Sequence, residues 1–130
     1  MSSLNRPLAG PTLSFHLAEQ ADALRRDEAY PRSGRAARTL VKSGRLRVTL
    51  VTLAAGVDVG TEQADSPLTL QVLHGGIRYR TPDGEHELRQ GQLVYFGPGD
   101  AEDIRAGEES VLLLTLAAIG DDYRDGEPAD

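Results

Sequence analysis

Three histidines, four tyrosines, two phenylalanines and no cysteine make up the chemically versatile part of this chain beyond its charged groups. Without cysteine there is no disulfide framework and no thiolate nucleophile, which suits a reducing compartment. His16, His74 and His86 are scattered, and none has a neighbour at the one-residue spacing of a strand-borne metal-ligand pair. Each therefore reads first as a surface or hydrogen-bonded structural histidine. His74 is the one to follow, because its alternation phase matches Leu68, Leu70 and Val72 and aims it at the rim of whatever those residues line. Tyr95 and Phe96 are neighbours in a stretch of strand character, so they must face opposite sides. Core packing is the default for both and for Tyr79, with a ligand-lining role open to the inward-facing one of the Tyr95–Phe96 pair.

The elements that must position these groups are short strands. Residues 56–76, GVDVGTEQADSPLTLQVLHGG, read as the end of one strand, a polar loop with a single proline, and a second strand stopped by a glycine pair. Upstream, residues 37–41 and 45–54 are rich in β-branched residues and leucine, with Lys42-Ser43-Gly44 as the turn between them. Downstream, strands are expected over 77–81, 85–89, 92–96, 102–106 and 110–117, parted by Pro82-Asp83-Gly84, Gln90-Gly91 and Gly97-Pro98-Gly99-Asp100. The last of these strands is apolar almost throughout, as expected of one buried on both sides. One helix is expected over 17–29, where Leu17, Ala21 and Leu24 recur at helical spacing, and Tyr30-Pro31 should end it. Short strands at close spacing, with no crossover-sized helices between them, describe an all-β sandwich or barrel. The domain expectation is a loose arm at 1–16, one barrel domain with its leading helix at 17–119, and an acidic, disordered tail at 120–130.

Charge excludes some partners. The net charge is −6, yet residues 25–47 hold eight basic and two acidic groups, a local +6 that leaves −12 for the remainder. An acidic chain is a poor partner for nucleic acid, whose binding relies on neutralising phosphates. The basic segment reads as a solvated face or a subunit contact, with an anion-binding patch as the sharper alternative. The longest apolar stretch, residues 111–119, is nine residues interrupted by Thr115, far short of the roughly 18 needed to cross a bilayer. With no basic start and apolar run at the N-terminus, the chain is expected to be soluble and cytoplasmic, with no membrane contact.

Over about residues 35–118 the chain resembles the cupin family of small double-stranded β-helix (jelly-roll) barrels, in particular its single-domain, RmlC-like members. The first cupin motif combines a glycine, a His-x-His pair, a glutamate and a closing glycine. Here Gly56 opens it, Glu62 and Ala64 stand at the histidine positions, Leu68 at the glutamate position, and Val72-Leu73-His74-Gly75 matches the usual ending. In the second motif, counted from Gly91, Glu102 stands for the histidine and Ala106 for the asparagine, and Gly97-Pro98-Gly99 carries its proline one place late. The resemblance implies a cupin barrel with one short N-terminal helix, a small-molecule pocket and a homodimer.

At the four positions where the family carries metal ligands, this chain offers two carboxylates and two side chains with no donor. No resident cofactor is expected; Glu62 and Glu102 could hold a hard divalent ion only weakly, with several waters. The resemblance instead implies a ligand site drawn from Glu62, Ala64, Leu68, Leu70, Val72, His74, Tyr95, Phe96 and Glu102. Three functions remain open. The first is a metal-free binding barrel for a small molecule of unknown identity. The second is an enzyme, either a metal-independent isomerase or epimerase whose acid–base pair is Glu62 and Glu102, or a dioxygenase-like enzyme on the same carboxylates. The third is a structural dimerisation module whose basic strands meet an acidic surface of a second copy.

Overall fold

A computed structural model describes residues 10–59, 65–100 and 103–118. Two antiparallel sheets face each other. The larger has the order β1 (Arg35–Ser43), β2 (Leu46–Leu53), β8 (Ser110–Ala117), β3 (Leu68–His74), β6 (Leu93–Phe96). The smaller runs β5 (Gly84–Arg89), β4 (Gly76–Thr81), β7 (Arg105–Ala106). The backbone of Val57 and Val59 bonds to Ala106 and Ile104, so residues 56–59 extend this second sheet beyond β7. This is an all-β jelly-roll barrel, and each of the eight strands expected from the sequence has its counterpart.

The apolar residues between the sheets form the barrel core, with Leu68, Leu70 and Val72 of β3, Leu112, Leu114 and Leu116 of β8, and Ile77 of β4 at its centre. A second cluster covers the outer face of the large sheet, where Ala21 and Leu24 of α1 (Leu17–Arg25) pack on Leu40, Leu50 and Val111. Consecutive residues Leu50 and Val51, and again Val111 and Leu112, thus serve different cores. That is why β2 and β8 lose the alternation that β3 keeps.

The helical segment differs from its expectation in one respect. Instead of one helix over 17–29, α1 stops at Arg25 and a second turn, α2 (Ala29–Ser33), follows with Pro31 inside it. Pro31 is tolerated because it lies in the first turn of α2, where a backbone N–H has no helical acceptor to lose. Gly34, at φ 77°, closes α2 by donating to the Tyr30 carbonyl at 2.7 Å. The Tyr30 hydroxyl donates to the Glu109 carboxylate at 3.0 Å, and the Arg25 guanidinium stands 3.5 Å from the same oxygen. Burial, then the hydrogen bond to Glu109 and its negative charge, hold this phenol above its ordinary pKa, with Arg25 pulling the other way. Two arginines of the basic segment are engaged by the fold: Arg38 donates to Gln20 at 2.7 Å and Arg35 to the Val59 carbonyl.

The corner between β3 and β4 is tightly built. Gly75 has φ 83°, and a Cβ placed on it would stand 2.2 Å from the Glu109 carbonyl oxygen, so only glycine fits. The fully buried Ser110 hydroxyl donates to the Glu108 carbonyl at 2.7 Å and accepts from the Gly76 N–H at 3.1 Å.

Candidate functional site

At the opposite end of β3 and β4 the two sheets part around a cavity of about 640 Å³. One wall is the end of β4, Tyr79 to Thr81, with Pro82 after it; the other is Val94, Tyr95 and Phe96 of β6; Gly99, Asp100 and Asp103 form the rim. Register sets these walls. Leu68 pairs with Phe96 and Leu70 with Val94, so the inward phase of β3 carries over to Phe96 and Val94. On β4, Tyr79 follows the buried Ile77 by two residues and packs against the barrel core.

Aromatic contacts stiffen the floor. The rings of Tyr79 and Phe96 meet edge to face with centroids 5.2 Å apart at 88°. Tyr79 also stacks on His86, its cross-strand partner, at 5.2 Å and 25°. The His86 Nε2 is hydrogen-bonded to the Thr81 hydroxyl at 2.9 Å, and that hydroxyl accepts the Asp83 N–H at 3.2 Å. Tyr79 is thus held between Phe96 and a histidine that is itself tethered.

The rim is charged. Arg80 and Asp103 approach to 3.6 Å, but with 63% and 68% of their side chains exposed the pair is screened and contributes little to stability. Asp103 has φ 54°, a left-handed conformation that Asp accepts more readily than most residues. Asp100 lies over Gly97, where a Cβ would stand 3.2 Å from its carboxylate, and it has no ion-pair partner among the described residues. Arg78 pairs with Glu87 at 3.7 Å and Arg105 with Asp58 at 3.2 Å, so neither of these arginines is spare.

The residues expected at a site divide into four groups. Phe96, 3% exposed, faces inward and Tyr95, 61% exposed, stands at the outer lip, and both line the cavity. Leu68, Leu70 and Val72 face inward as their alternation indicates, but they are packed into the core and are not part of the cavity lining. His74 breaks from its expected phase: the register slips between Val72 and His74, so the histidine is exposed outside the barrel, beside Leu17, Ala21 and Leu73 at a smaller groove under α1. Glu62, Ala64 and Glu102 lie outside the described residues, as do most of the 1–16 arm and the whole 120–130 tail. His16 caps the start of α1 with its backbone alone. Among the described residues no group of three or more His, Cys, Asp or Glu side chains could hold a metal ion, and no helix is long and apolar enough to cross a membrane.

Tyr79, Arg80, Thr81, Asp100 and Asp103 are cavity residues that the sequence did not single out as a site. The phase of Tyr79 relative to Ile77 was a usable signal for the first. Nothing local marks Asp103, which reaches Arg80 only through the packing of the loop on β4.

No family model matches the chain, and no curated protein matches it. Solved structures do share its fold. A protein of unknown function from Rhizobium leguminosarum superposes with a TM-score of 0.67 at 18% identity, covering 85% of this chain and all (100%) of that one. A cupin superfamily protein from Desulfitobacterium hafniense matches at 0.60 and 16% identity, covering 65% and 78% of the two chains. An RmlC-like cupin from Shewanella frigidimarina matches at 0.60 and 13% identity, covering 70% and 82%. The chain is similar to these proteins in having the cupin jelly-roll fold, as the motifs at Gly56 and Gly91 imply.

Proposed function

We propose that this cupin-fold barrel binds a small organic molecule in the cavity between β4 and β6, and does so without a metal at its centre. The observation that carries the proposal is the position of Leu68. It stands where the family places an acidic ligand, yet its side chain is buried among core residues directly across from Phe96 in the cavity wall. A leucine offers a metal no donor, and neither does Ala64. The residues present therefore do not fit the family's metal, and no chemistry is routed through one. What remains is a concave, largely apolar space of about 640 Å³, within the range of roughly 300–1,000 Å³ typical of small-molecule sites. Tyr79 and Phe96 offer aromatic surface, while Thr81, Arg80, Asp100 and Asp103 offer polar contacts at the edge.

Metal content of the purified protein, read by elemental mass spectrometry, tests the first half: far less than one equivalent is expected, and one equivalent of Fe, Mn, Ni or Zn per chain would overturn it. A fragment screen followed by protein NMR tests the second half. Hits should move the ring resonances of Tyr79 and Phe96; hits confined to the groove under α1 would place the site elsewhere.

A further inference from the structure

We propose that the ligand is a cation: an apolar or aromatic ring carrying a protonated amine or comparable positive group. This rests on the cavity being the small-molecule site. Three aromatic side chains line it, Tyr79 and Phe96 as an edge-to-face pair and the exposed Tyr95 at the lip. Aromatic faces are electron-rich and attract cations, most strongly where water is partly excluded. The charges of the described wall point the same way. Arg80 is engaged by Asp103 at 3.6 Å, which cancels one of each sign and leaves the Asp100 carboxylate as the net charge among the described residues of the rim. An anionic ligand would face the Asp100 carboxylate beside an Arg80 whose charge Asp103 already offsets. A cation gains a charge-assisted bond to Asp100 with nothing displaced. The apolar ring would lie against Tyr79 and Phe96, with the charged end toward Asp100 and the exposed Tyr95 ring at the lip.

Three probes with the same ring separate the possibilities: phenethylamine, phenethyl alcohol and hydrocinnamate, which are cationic, neutral and anionic at neutral pH. Each is titrated into the full-length protein while the Tyr79 and Phe96 ring resonances are followed by NMR. The amine should bind about tenfold more tightly than the alcohol, and hydrocinnamate most weakly. Added salt should weaken the amine and leave the alcohol unchanged. Asp100→Asn should bring the amine to within about threefold of the alcohol, since a neutral amide keeps the shape and removes the charge. Arg80→Gln should tighten the amine by freeing Asp103; both side chains are exposed, so the barrel should tolerate either change.

Hydrocinnamate binding as tightly as the amine would refute the cation while leaving the cavity as a small-molecule site. An amine preference untouched by both Asp100→Asn and salt would do the same. If no probe moves either ring, the cavity reading falls with it.

Discussion

The two ends of this barrel, the corner between β3 and β4 and the mouth between β4 and β6, have opposite characters. Where β3 hands over to β4, Gly75, Gly76 and Ser110 are packed so closely that a single Cβ has no room and the buried hydroxyl both donates and accepts. At the far end of β4, Tyr79 and Phe96 meet edge to face at the floor of a cavity of about 640 Å³, and Arg80 and Asp103 on its rim are more than half exposed. A closed corner with satisfied polar groups fixes geometry; an open end with aromatic walls and loosely paired charges leaves surface for something else to satisfy. The cupin frame is thus kept rigid at one end so that the other can stay open.

The contrast can be broken by substitution. The largest effect should come from Gly75→Ala, which combines a positive φ with a Cβ 2.2 Å from a carbonyl oxygen. About 3 kcal/mol or more of stability should be lost in urea denaturation. A cost below about 1 kcal/mol would mean that the corner gives way easily, and the contrast would fail. Next, Leu70→Ala and Phe96→Ala set the packed interior against the cavity wall. Leu70 is fully buried among core residues, so its truncation should cost about 2–5 kcal/mol. Phe96→Ala removes a larger side chain, yet one that already borders open space, so it should cost no more than Leu70→Ala while abolishing the shift of Tyr79 on ligand binding. A clearly larger loss at Phe96 would mean that its core contacts, and not the cavity it borders, set the cost.

The smallest effect lies outside the barrel, at Tyr30. Its pKa is raised in the fold from 10.0, so near and above that pH the unfolded chain loses its proton while the folded chain keeps it. Stability is then complete below pH 10.0 and falls as the pH rises through the higher folded value. Tyr30→Phe should flatten that part of the pH profile of the unfolding midpoint; an unchanged alkaline slope would remove Tyr30 as its source.

Strand positions were legible because β3 is buried on one face only and alternates, while the turn residues Pro82-Asp83-Gly84 and Gly97-Pro98-Gly99 mark the gaps. The cupin frame was legible for the same reason, in Gly56, Gly75 and Gly91. What escaped was non-local. The bulge after Val72 shifts His74 by one place, and a one-residue slip leaves no trace in an alternating sequence. Pro31 looked like a helix end because its tolerance depends on where the next turn begins. The cavity wall was half legible: Phe96 and Tyr95 could be read from their strand, whereas Arg80 and Asp103 meet only when the loop folds over β4.

The sheet order has a further consequence for how the molecule comes to exist. β8 comes last in chain order among the described strands, yet it lies between β2 and β3 at the centre of the large sheet. Until it leaves the ribosome, the β1–β2 hairpin and the β3–β6 pair have no shared edge, and neither Ser110 nor Glu109 is available to close the corner or to hold Tyr30. The barrel therefore cannot close until β8 has emerged, and its earlier strands spend that interval with unpaired edges.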